Sequence, residues 1–439
     1  MIWNATFFSF QRSIIGSLFF GKETIVHISE LLPDRTTCPT HPFIRLRNFI
    51  VEYNLILGIS PIGSNMISYI LNLVFPASRH FETFIINFTH IYDRQTYGKI
   101  TWIDITGDQN VFAVFNEVIE LGGLGNFSAT DLGKMLAGKK VSCSTSLGLD
   151  SENVNGSSTP SDLKTLFELI YLSFTAPRMD EEAYASFENR MKAQLKNLEL
   201  NPMVAFSDSL TKAIYNNNPR AMRIDPADFK NISYPRIMEM YKERFGDASG
   251  FVFTFVGNID TDSIRPLVEQ YLATLPANGK IEQGNPKEVP AIRKGDYVNR
   301  FKRQMETPKA SVVNFYSGQM DYNLENIVTA TMLKQVLDLI YTEKVREDEG
   351  GTYGVQTSAR ISSFPEGQTF LQAYFDTDPD KREKMNTIVR NELKRISDIG
   401  PTPEDFKKTQ DNILKRHAES LQENGYWLNT LDNYYYKGF

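Results

Sequence analysis

Two pairs of amphipathic helices, lying about half the chain apart, carry the same order of apolar and charged residues. This repeat constrains the fold more than any other feature. At an offset of 222, Leu163, Leu166, Phe167 and Phe174 fall on Met385, Ile388, Val389 and Ile396. At 223, Glu181, Glu182, Asn189 and Lys192 fall on Glu404, Asp405, Asn412 and Lys415. Any two amphipathic helix pairs can be aligned, so the spacing alone does not establish duplication.

The surroundings of each pair are alike. Thr159-Pro160-Ser161-Asp162 supplies an N-cap, a first-turn proline and an acidic third residue before an apolar stripe that includes Ile170. Further helices are predicted over 180–198, 205–215 and 261–275, and around Ile237, Met240 and Tyr241. Residues 251–256, FVFTFV, read as a short apolar strand. Beyond a Lys-, Glu-, Pro- and Gly-rich stretch, strands are predicted over 297–305, 310–316, 353–361 and 369–375. A long helix capped by Asn323 separates the second from the third, and helices over 379–399 and 403–423 follow.

The predicted fold class is α+β; the repeat leaves open two tandem homologous modules, each an antiparallel sheet with helices packed on one face. They occupy 101–276 and 297–439, joined by a linker over 277–296. The second module reads as incomplete, because the chain stops at Phe439 in or just after a helix.

Residues 1–100 read as an atypical N-terminal region of uncertain order. They hold 14 charged residues against 86 in the remaining 339, and four of the five histidines: His27, His41, His80 and His90. The run 53–78 has no charge at all. It is long enough to cross a bilayer, yet Asn54, Ser60, Pro61, Gly63, Ser64, Asn65, Ser68 and Asn72 are a heavy polar load for hydrocarbon. No membrane partner is expected. An apolar patch over 14–20 lacks the flanks of a clear signal peptide.

Composition excludes other classes. A net charge of −6 over 439 residues offers no basic surface for nucleic-acid phosphates. Cys38 and Cys143 are too few for a disulfide framework or a paired-cysteine metal site. The run from Gly133 to Lys139 matches most of a phosphate loop, but Lys140 stands where a hydroxyl belongs, and the residues before it look helical. His27-Ile28-Ser29-Glu30-Leu31 offers one imidazole and one carboxylate, too few to hold zinc without distant help.

Three stretches carry a resemblance. VREDEGGTYGV at 345–355, ERFGDASGFVFTFVGNIDTDSIRPLVEQYLATLP at 243–276 and GGLGNFSATDLGKMLAGKKV at 122–141 resemble the pitrilysin/insulinase family of zinc peptidases, specifically the C-terminal half of its large bacterial members. The resemblance covers roughly 110–439. It implies modules that close like a clamshell over a peptide, which would account for the repeat. It also implies that Arg346 and Tyr353 clamp the substrate. A guanidinium and a phenol suit that role, since both donate to a carbonyl or developing oxyanion. Packing of Tyr353, and pairing of Arg346 with Glu343, Glu347 or Asp348, is the alternative.

The zinc motif of the family, H-x-x-E-H, does not occur in this chain. The corresponding helix should lie near 115–121, FNEVIEL, which offers Glu117 and Glu120 but no histidine. No catalytic or metal-binding residue is therefore assigned here, and no cofactor is expected in this chain. The resemblance implies zinc in an N-terminal half, fused or separate, as partner, with a peptide or unfolded protein as substrate, in the cell envelope or periplasm. Such a chain should be inactive alone. A non-catalytic scaffold or binding subunit of the same superfamily is the second reading. An active hydrolase built from His27, Glu30 and His80 or His90 is the third.

Overall fold

The computed structural model describes residues 71–74, 84–90, 107–149, 151–258, 260–278, 290–347, 352, 354–362 and 367–437. The elements run β1 (Leu71–Val74), β2 (Phe84–His90), α1 (Gln109–Val118), α2 (Ala129–Met135), β3 (Val141–Leu147), β4 (Glu152–Ser158), α3 (Leu163–Thr175), α4 (Glu181–Leu198), α5 (Pro202–Tyr215), α6 (Tyr234–Phe245), β5 (Phe251–Val256) and α7 (Thr261–Leu267). Then follow β6 (Ala310–Gln319), α8 (Leu324–Tyr341), β7 (Val355–Ile361), β8 (Gln368–Thr377), α9 (Arg382–Ile399), α10 (Pro403–Ser420) and α11 (Asn424–Lys437).

Described residues before 294, together with those from 420 onward, form one compact unit, and 294–419 form another. The first unit holds a five-stranded sheet in the order β1-β5-β2-β4-β3. All its pairings are antiparallel except β1 with β5, which is parallel. Two of its strands come from before residue 101, so the sheet reaches back into the region that composition sets apart. β2 is indispensable to it, lying between β4 and β5 and pairing with both. β3 and β4, VSCSTSL and ENVNGSS, have no sequence expectation behind them because their polar residues hide the period-two pattern.

Every residue of β5 is buried, and a strand apolar on both sides needs cover on both sides. Phe251, Phe253 and Phe255 join the core built with α1, α3 and α6, where Phe167 stacks on Phe255 at 6.1 Å. Val256, on the opposite side, packs with Leu428 and Leu431 of α11. The expected arrangement of helices on one face is thus supplemented here by a helix on the other.

The second unit has a three-stranded antiparallel sheet, β6-β8-β7. Its core joins Val336, Ile340 and Tyr341 of α8, Leu371 and Phe375 of β8, and Met385, Val389 and Ile396 of α9. Two of the four equivalent pairs, Phe167 with Val389 and Phe174 with Ile396, are buried on both sides of the repeat, whereas Leu163 and Ile388 are half-buried. Leu166, Phe167 and Phe174 are buried in α3, as are Met385, Val389 and Ile396 in α9.

Two elements differ from expectation. Residues 297–305 form no strand, and Val298 and Phe301 are exposed. The alternation there puts Tyr297, Phe301 and Met305 on one side and Val298, Arg300 and Lys302 on the other, but no described strand pairs with the segment, and a lone strand leaves its backbone groups to water. The helix predicted over 261–275 changes to π geometry at Val268–Leu272, directly after Pro266 removes a backbone donor from its interior. No described helix is long and apolar enough to cross a membrane.

Candidate functional site

The C-terminal unit fixes both flanks of the segment that contains Arg346 and Tyr353. Asn323 caps α8 by accepting from the Asn326 N–H at 2.8 Å, and the helix runs on to Tyr341 as a buried stripe. The Tyr341 hydroxyl donates to the Val389 carbonyl at 3.1 Å. A π-helical turn, Thr342–Glu347, continues the helix, with Val345 fully buried. Arg346 follows that anchor on the backbone. Its side chain, and Gly350, Gly351 and Tyr353 entirely, lie outside the described residues.

Thr352 and Gly354 mark the other flank. The Thr352 hydroxyl donates to the Asp376 carbonyl on β8 and accepts from the Gly354 N–H at 3.3 Å. Two residues into β7, the Thr357 N–H donates to Asp338 of α8 at 3.3 Å, and Lys334 donates to the same carboxylate at 2.6 Å. Asp376 is itself a node. Its carboxylate accepts from Lys309 at 2.7 Å, Ser311 at 2.5 Å and Tyr374 at 2.8 Å. Burial alone would raise its pKa, but these donors hold it below the usual carboxylate range. Sequence reading missed Asp338, Thr352, Thr357 and Asp376. The one available signal was the spacing of four between Lys334 and Asp338 on α8, which sets the two charges on one face.

The helix expected at the position of the family's zinc motif is tied to the neighbouring strand. Glu117 is exposed. Glu120, just past α1, lays its carboxyl against β3 and accepts from the Thr145 N–H at 3.3 Å, and crowding by protein atoms raises its pKa. The nearest sulfur on that strand, the Cys143 thiol, is pushed up to about 12 by burial and contacts the Ser173 hydroxyl at 3.8 Å. A protonated thiol and one carboxylate engaged with a backbone amide do not make a zinc ligand set. Among the described residues no group of three or more His, Cys, Asp or Glu could hold a metal. His27, Glu30, His41, His80 and Cys38, and the side chain of His90, lie outside them.

The phosphate-loop look-alike resolves as ordinary structure. Ser128 caps α2, so the chain before Gly133 is helical, and Lys139 donates to the Thr165 hydroxyl at 2.7 Å. Gly122 lies so close to the backbone at Arg178 that a Cβ would stand 1.9 Å from its carbonyl oxygen, which accounts for a glycine there by packing.

Comparison with known proteins agrees with this picture. Residues 231–413 match the family described as Peptidase M16 inactive domain. The chain is 23% identical over 286 residues to a zinc protease PQQL-like protein of Arabidopsis thaliana, covering 62% of this chain and 30% of that protein. It is 19% identical over 311 residues to the probable zinc protease PqqL of Escherichia coli strain K12, covering 70% of this chain and 33% of that one. It thus spans about a third of the length of these relatives. The fold superposes on the periplasmic protease PqqL from Escherichia coli with a TM-score of 0.68 at 16% identity, over 84% of this chain and 39% of the other. A peptidase M16 inactive domain from Pseudomonas fluorescens matches with a TM-score of 0.62 at 16% identity, over 86% and 87%. Residues 231–413 thus match the M16 inactive domain, and the chain as a whole is similar to PqqL-like zinc proteases.

Proposed function

We propose that this chain is the non-catalytic half of an M16 metalloendopeptidase, completing the substrate chamber and clamping an extended peptide through Arg346 and Tyr353. Zinc and the water-activating glutamate would come from an N-terminal half, fused or separate, and this chain alone would not hydrolyse peptides. One observation carries the reading. The segment from Arg346 to Tyr353 leaves a helix anchored by Tyr341 and Val345 and returns to a strand tied to that same helix through Asp338 and Thr357. Anchored chain on either side of Arg346 and Tyr353 supports a role for these two donors in gripping a peptide backbone.

The test is reconstitution with a zinc-bearing half and hydrolysis of a mixed peptide library. Wild type should cleave only in the mixture. Arg346→Ala and Tyr353→Phe should lower kcat/KM at least about tenfold, equivalent to about 1.4 kcal/mol, without lowering the melting temperature. Unchanged turnover in both variants overturns the clamp. No stimulation of the zinc-bearing half, together with stable association, would favour a scaffold.

A further inference from the structure

β3 is an edge strand of the first sheet, and three outward backbone groups at its C-terminal end are met by side chains. In the register of β3 with β4, Ser142, Ser144 and Ser146 turn their N–H and C=O toward β4, while Val141, Cys143, Thr145 and Leu147 turn theirs outward. An added strand would pair with those outward groups. Asn116 occupies both at Leu147. Its Oδ1 accepts the Leu147 N–H at 2.8 Å, and its Nδ2 donates to the Leu147 carbonyl at 3.1 Å. Glu120 takes the next outward donor, the Thr145 N–H, at 3.3 Å.

A primary amide giving one donor and one acceptor to a single residue reproduces what a neighbouring strand gives there. From these contacts we infer that Asn116 and Glu120 form a side-chain surrogate strand, an autoinhibitory contact that closes the C-terminal end of the β3 edge, at Thr145 and Leu147, against extended polypeptide. Neither residue belongs to the buried core, so core packing does not impose their direction toward the strand. Leu147 itself is buried, and the closed backbone is therefore rigidly presented. The inference concerns the first unit and stands whether or not Arg346 and Tyr353 clamp a substrate.

Hydrogen exchange and peptide binding on the full chain test it together. The probe is a capped, fluorescein-labelled alternating Thr-Val octapeptide, followed by fluorescence anisotropy. Asn116→Ala and Asn116→Ala/Glu120→Ala should speed exchange of the Leu147 amide, leave the inward Ser146 amide protected, and bind the octapeptide at least about tenfold more tightly than wild type. Glu117→Ala, altering an exposed neighbour, should match wild type. Asn116→Asp keeps the acceptor and the shape, and should fall between. Unchanged Leu147 exchange in the Asn116 variants overturns the contact. Faster exchange with unchanged probe binding overturns the closure and leaves only a tie between helix and strand.

Discussion

One oxygen of Asp338, on α8, receives both the backbone N–H and the hydroxyl of Thr357, on β7. A single carboxylate thereby locks the register of the strand to the helix, at the position where the chain has just re-entered the sheet.

Replacing Thr357 by Val keeps the shape and removes the hydroxyl. The expected loss is about 1–2 kcal/mol, less than the full value for a bond to a charged group because Asp338 keeps Lys334 and partial solvent. Thr357→Ser should recover most of it. Urea denaturation of the three proteins checks the order.

Gly156 on β4 lies against α3 so closely that an added Cβ would sit 2.6 Å from Leu166 Cδ1. Gly156→Ala should cost about 1–3 kcal/mol through overpacking, since Leu166 is fully buried and has nowhere to go. Adding Leu166→Val should return part of the loss, and a double-mutant cycle in thermal melts would show that coupling.

Asp376 predicts an acid dependence. Its folded-state pKa is lowered, so the stability it contributes is fully present above the unfolded value of about 3.9 and is lost as pH falls through the folded value. The melting-temperature advantage of wild type over Asp376→Asn should be flat at neutral pH and shrink below about pH 4. An advantage that grows on acidification would refute the assignment.

Thr254, fully buried in β5, donates to Asp432 of α11 at 2.8 Å. Asp432→Ala strands that hydroxyl in the interior and should cost about 1–3 kcal/mol, while Asp432→Asn keeps an acceptor and should cost less. Exchange rates of the β5 amides would locate the damage in the first unit.

The legible parts of this fold are those where one physical signal dominates. The stripes of α3 and α9, the Asn323 cap and the apolar run of β5 each follow from the order of residues, and the structure has each of them. β3 and β4 escaped because their side chains are mostly small and polar, and they are held by pairing with neighbours that only the fold supplies. Residues 297–305 misled because alternation alone does not supply a strand to pair with. For the candidate site, the chain marks Arg346 and Tyr353 through resemblance. The bonds that hold their flanks join residues 19 and 24 positions apart, which no local pattern encodes.

The cover that α11 gives to β5 also sets an order of events during synthesis. Thr254 waits 178 residues for Asp432, roughly 10–35 s at about 5–20 residues per second. Through that interval the helix that covers Val256 among the described residues is still unmade, while the intervening residues of the second unit are being synthesised. The unit that begins first in the chain is the one finished last, so a ribosome paused between the two leaves a nascent sheet half clothed and dependent on chaperones.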